Sequence, residues 1–90
     1  MDAHVQIIVH GMVQGVGFRF FVLREARLLN INGYVKNVPT GEVIIEAEGD
    51  RGMLEDLIKK VKVGPRFADV EDLNIEWKKV QGIFKSFEVR

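Results

Sequence analysis

The chain has no cysteine, which excludes disulfide bridges, a thiolate nucleophile and cysteine-ligated metals. Proline occurs only twice, and no Pro-rich, Gly/Ser-rich or repetitive tract divides the chain. No apolar run approaches the roughly 20 residues of a membrane span. The start, Met1-Asp2-Ala3-His4, carries neither the basic nor the apolar region of a signal peptide. A cytoplasmic protein with no membrane partner is therefore expected. Neither sign of charge dominates: 13 Lys and Arg balance 13 Asp and Glu, for a formal net charge of zero. Bulk attraction to nucleic acid or anionic lipid is thus not expected. The two histidines, His4 and His10, have no Asp or Cys partner at metal or triad spacing, so neither a metal site nor a histidine acid–base pair is expected.

Against these absences, 47% of the 90 residues are hydrophobic and 29% charged, the balance of an ordinary globular protein. One domain spanning residues 1–90 is expected. A fold of this size buries only about 60–65% of the surface of its unfolded chain, so the core is lean.

Apolar periodicity supplies the elements. Val5, Ile7 and Val9 alternate with Gln6 and His10, as in a strand with one buried face. Phe18 to Leu29 has no Gly or Pro and places Val22, Ala26 and Leu29 at helical spacing. Ile31 to Val38 reads as a second strand. Pro39-Thr40-Gly41 turns it into a third, in which Val43, Ile45 and Ala47 alternate with Glu46 and Glu48. Asp50 is placed to cap a helix over about Met53 to Lys62, with Leu54, Leu57, Ile58 and Val61 on one face and Gly64-Pro65 as its stop. Glu55/Lys59 and Asp56/Lys60 stand at i,i+4 spacing on its polar side. Leu73, Ile75 and Trp77 mark a fourth strand, and Ile83 to Arg90 a last short one. The order βαββαβ with an added C-terminal strand predicts an α+β, two-layer ferredoxin-like sandwich: an antiparallel sheet with two helices on one face.

The stretch Gly11-Met12-Val13-Gln14-Gly15-Val16-Gly17-Phe18-Arg19 joins the first strand to the first helix. The first N–H groups of a helix lack intrahelical partners, and the helix dipole places partial positive charge there. Gly15 and Gly17 permit positive φ, which brings successive N–H groups into a concave nest for an anion. Arg19 adds a guanidinium fork suited to phosphate or carboxylate oxygens. The Lys-Ser/Thr ending of a Walker loop and the third glycine of a dinucleotide fingerprint are both missing, which excludes those two sites.

This stretch resembles the first signature of the acylphosphatase family, G-x-V-Q-G-V-x-F-R, at every fixed position. Gly33-Tyr34-Val35-Lys36-Asn37, followed by Gly41, Val43 and Gly49, resembles the second. Met12 and Gly17 fall at variable positions of the first signature. The resemblance spans essentially the whole chain. It implies hydrolysis of the carboxyl–phosphate bond of acyl phosphates without a metal or other cofactor. The backbone N–H groups of Gly15, Val16, Gly17, Phe18 and Arg19 would cradle the phosphoryl group, the Arg19 side chain would close over it, and Asn37 would orient the attacking water. Gln14 would support the loop. The implied partners are a small acyl phosphate, and inorganic phosphate as product and inhibitor, acting on a monomer.

Two other readings compete for the same pattern. RNA-binding modules share the element order, but Glu42, Glu46 and Glu48 on the polar face of the third strand would repel phosphates. Acylphosphatase-like domains also occur within larger carbamoyl-transfer proteins. A chain of this length with no cysteine motif favours the stand-alone enzyme.

Overall fold

A computed structural model describes residues 1–90. The first strand, β1 (Asp2–Met12), buries Val5, Ile7 and Val9 completely on one face, as their alternation requires. Helix α1 (Phe18–Leu28) follows and buries Phe18, Val22 and Ala26 against that face. The helix ends in a Schellman arrangement. Asn30 takes the left-handed conformation at φ 56°, the Ile31 N–H donates to the Ala26 carbonyl at 2.9 Å, and the Asn30 N–H donates to that of Arg27 at 3.2 Å.

Strands β2 (Asn32–Asn37) and β3 (Val43–Asp50) form the expected hairpin. Its turn is closed by the Gly41 N–H donating to the Val38 carbonyl at 3.0 Å. The Asp50 carboxylate accepts from the Met53 N–H, so helix α2 (Arg51–Val63) starts two residues before the apolar pattern that foretells it. Leu54, Leu57 and Val61 are its fully buried stripe, and Gly64 at φ 72° ends it. On its polar side the i,i+4 ion pair within 4 Å is Arg51–Glu55, at 3.8 Å, rather than either pair that spacing alone singles out.

Strands β4 (Asp69–Lys78) and β5 (Phe87–Val89) complete a five-stranded sheet in the order β4-β1-β3-β2-β5. The βαββαβ core pairs antiparallel throughout, and β5 joins β2 in parallel sense. Both helices lie on one face, over a cluster of 16 buried apolar residues. No helix is long and apolar enough to cross a membrane.

The last expected strand is shorter than its alternation suggests, because β4 and β5 lie at opposite edges of the sheet. Crossing the three intervening strands spans roughly 19 Å at about 4.8 Å per step. Residues 79–86 make that crossing as an extended, irregular strap over the face that the helices leave open.

Candidate active site

The β1–α1 connection keeps its donors free. Gly15 (φ 73°) and Gly17 (φ 77°) both take the left-handed conformation, and Gly17 is the residue from which α1 begins. Neither would meet another atom within 4 Å if it carried a Cβ, so the backbone dihedral is what selects glycine here. None of the N–H groups of Gly15, Val16, Gly17, Phe18 and Arg19 donates to a main-chain carbonyl or to a capping side chain. Five successive donors at the positive end of the helix dipole are thus left without an internal partner. Val13 and Phe18, buried at either end, anchor the loop in the core.

Gln14 ties this loop to the β2–β3 hairpin. Its Nε2 donates to the Val38 carbonyl at 2.7 Å and to the Glu42 carbonyl at 2.8 Å. Those two residues flank the turn, and Val38 directly follows Asn37. The second signature is therefore held beside the first by one side chain. Across the same turn, the Thr40 hydroxyl donates to the Glu42 carboxylate and holds its pKa below the ordinary carboxylate value.

Asn37 ends β2 opposite Val43. Among all buried side-chain nitrogen and oxygen atoms, its Oδ1 alone has no hydrogen-bond partner. A buried acceptor left unpaired costs about 1–3 kcal/mol. Such an atom marks a place where a ligand or water completes the bonding.

Arg19 sits one residue inside the helix, half-buried, with its Nη1 donating to the main-chain oxygen of Arg90 at 3.2 Å. Arg90 follows β5, so the far end of the chain lies against the guanidinium. No local pattern in the sequence foretells this contact, which joins positions 71 residues apart.

Lys36 and Tyr34 lie on the open face of β2, with the Lys36 ammonium 6.0 Å from the Tyr34 ring centre. The histidines are less isolated than sequence spacing implies. His10 pairs through Nε2 with Asn74 Oδ1 at 2.5 Å on the neighbouring strand. His4 is fully buried, with carboxylates of Glu46 and Glu48 against its two ring nitrogens. The acidic row of β3 is consequently covered at Glu46 and Glu48. Phe87 is core and Trp77 is edge packing, stacked under the Arg51 guanidinium at 4.0 Å.

Residues 5–89 match the model of the acylphosphatase family. An acylphosphatase of Chlorobaculum tepidum is 40% identical over 88 residues, covering 98% of this chain and 96% of that protein. One of Salinibacter ruber is 44% identical over 89 residues, covering 99% and 94%. Among solved structures, the acylphosphatase of Bacillus subtilis superposes with a TM-score of 0.95 at 38% identity, over 100% of this chain and 99% of that one.

Proposed function

The chain belongs to the acylphosphatase family, and from that premise we propose that it hydrolyses the carboxyl–phosphate bond of acyl phosphates by a phosphate cradle and an oriented water. The observation that carries this reading is the unpartnered, buried Oδ1 of Asn37, at the strand end that Gln14 ties to a loop of five free N–H donors.

In the reaction, the phosphoryl group sits on the N–H groups of Gly15 to Arg19, and the Arg19 guanidinium closes over its oxygens. Asn37 Oδ1 accepts a hydrogen bond from a water and so aligns its oxygen with phosphorus, opposite the leaving carboxylate. The water oxygen bonds to phosphorus as the bond from phosphorus to the acyl oxygen breaks, releasing carboxylate and inorganic phosphate. In a loose transition state the charge lies on the equatorial and leaving oxygens, where preorganised donors act most strongly. A carboxylate leaves without protonation, so no general acid is required. An amide has no useful pKa, and the proton of the water passes to a phosphate oxygen of the substrate. The half-buried setting of Arg19 and its tether to Arg90 support its being held in a fixed position.

The same reading makes inorganic phosphate a competitive inhibitor and the chain a monomeric cytoplasmic enzyme that uses no metal. It is tested by steady-state hydrolysis of benzoyl phosphate in the presence of a chelator. Wild type is expected to turn over. Asn37→Ala is expected to lose about 10²–10³ in kcat, the usual effect of removing one preorganised polar group, while phosphate still inhibits. Arg19→Ala is expected to lose turnover and phosphate inhibition together. Phosphate binding by wild type without turnover would instead make the loop a phosphate-binding module, as in a domain that serves a larger carbamoyl-transfer protein.

A further inference from the structure

Helix α1 is apolar on more than the side that meets the sheet. Phe18, Val22 and Ala26 form its buried stripe. At roughly 100° per residue, Phe20 and Arg24 stand about 160° round the helix from Val22, the centre of that stripe. This is the side that a surface helix normally gives to polar and charged residues. Here Phe20 is 65% and Leu28 72% exposed, with Phe21 and Leu23 half-buried beside them. A single exposed apolar residue needs no explanation, whereas a contiguous stripe marks a binding surface.

The stripe begins at the β1–α1 loop. Gly17, Phe20, Phe21 and Arg24, at i, i+3, i+4 and i+7, line a groove that opens from the last glycine of that loop. No other cleft of the molecule is lined by any of residues 15–19. A second groove shares Phe20 and Arg24 with the first and continues down the helix past Leu23 to Leu28. Phe21 is held against core residue Phe18, with 6.0 Å between ring centres. Arg24 Nη2 lies 3.6 Å from Glu25 Oε1, so the cation nearest the loop already has an acidic partner. What the upper groove offers a ligand is two phenyl rings.

The hydrolytic geometry aims at this groove. Asn37 stands two residues beyond Val35 on β2, and so projects from the same face as that fully buried residue, the face the helices cover. A water held at its Oδ1 therefore reaches phosphorus from the sheet side. In an in-line displacement the leaving oxygen departs on the opposite side. That direction points away from the sheet, toward the outer side of α1 where the groove opens.

We propose that the groove is the acyl subsite: an apolar acyl group, carried on the leaving carboxylate, lies against Phe20 and Phe21 and extends toward Leu23. This rests on the reading of Asn37 and the β1–α1 loop as the hydrolytic site. Phe20 is then a specificity-determining residue, in contact with the acyl group and not with the phosphoryl group. A phenyl substituent covers far more of its ring than a methyl group does, so the groove favours aryl and long alkyl acyl phosphates over acetyl phosphate.

The test is steady-state hydrolysis of benzoyl phosphate and of acetyl phosphate by wild type, Phe20→Ala and Phe20→Leu, with inorganic phosphate as inhibitor. Position 20 is exposed and alanine is the better helix former, so Phe20→Ala keeps the fold. The ratio of kcat/KM for benzoyl over acetyl phosphate is expected to fall about five- to tenfold in Phe20→Ala, with phosphate inhibition unmoved. Phe20→Leu, which restores apolar area, is expected to recover most of the ratio. An unchanged ratio would overturn the proposal. So would an equal loss on both substrates, or a loss of phosphate inhibition, since the substitution would then act through the loop. An unchanged ratio with a lower sedimentation coefficient in Phe20→Ala would give the stripe to a second copy of the chain. If wild type hydrolyses neither substrate, the hydrolytic reading fails first and the inference falls with it; turnover by wild type with an unmoved ratio defeats the inference alone.

Discussion

Gln14 holds the carbonyl of Val38 at 2.7 Å, and through it the β1–α1 loop and the strand end that bears Asn37 share one frame. Both carbonyls that Gln14 engages have a second, main-chain donor, Gly41 for Val38 and Val38 for Glu42. Removing Gln14 therefore unlocks the two segments without orphaning either carbonyl. Gln14→Ala is expected to stay folded and to lower kcat/KM for benzoyl phosphate about tenfold, equivalent to about 1.4 kcal/mol of lost alignment. Steady-state kinetics beside a circular dichroism melt separates that loss from unfolding.

Gly17 starts α1 from φ 77° with open space where a Cβ would stand. Gly17→Ala therefore meets a purely conformational cost of about 1–2 kcal/mol, and the loop recovers part of it by rotating away from the left-handed region. That rotation turns N–H groups out of the cradle. The substitution is expected to damage phosphate inhibition as well as stability. Gly17→Asn, which tolerates the left-handed region better, is expected to do less harm, and comparing the two inhibition constants with denaturant midpoints checks this.

Gly33 presents the opposite case, close approach. A Cβ there would stand 1.9 Å from the Glu46 carbonyl oxygen of the neighbouring strand, with φ at 143°. Backbone atoms in the middle of a sheet cannot yield as a flexible side chain would. Gly33→Ala is expected to destabilise the fold by at least about 3 kcal/mol, which urea denaturation reads directly. Its effect on kcat of the remaining folded fraction is expected to be small by comparison.

Glu48 gives the acid limb of the stability curve a specific origin. Burial pushes its pKa up, but the N–H groups of Gln81 and Gly82 and the His4 ring outweigh that and hold it below the ordinary carboxylate value. The native state then binds fewer protons at this site than the unfolded chain does. Its contribution to stability is full above the unfolded carboxylate pKa and is lost as pH falls through the lower native value. Urea midpoints measured from about pH 6 down to about pH 3 are expected to fall less steeply for Glu48→Gln than for wild type. A parallel fall in both proteins would assign the acid limb to other carboxylates.

What the sequence by itself determined about this protein is everything that neighbouring residues decide among themselves. The alternation of Val5, Ile7 and Val9, the stripe of Leu54, Leu57 and Val61, the cap at Asp50 and the stop at Gly64 are each set within one or two turns of chain. They reappear in the structure, the second helix with its ends shifted by one or two residues and the first strand extended beyond Val5 and Val9 on both sides. The two signatures are likewise contiguous, so the residues of the loop and of the Asn37 strand were legible as groups before any fold was known. Gly15 and Gly17 take the positive φ that their residue type permits.

The tertiary structure alone decided which distant groups meet. His4 carries no local sign of its partners, because Glu46 and Glu48 lie 42 and 44 positions away and reach it only through the β1–β3 register. Periodicity made Ile83 to Arg90 look like one strand. The sheet order places β4 and β5 at opposite edges, however, and half of that segment is drawn out to bridge them. The contact between Arg19 and Arg90 exists for the same reason. Patterns of burial and capping are written locally because they depend on dihedral angles and helix or strand period. Juxtapositions across a sheet depend on strand order, which no short stretch of the chain contains.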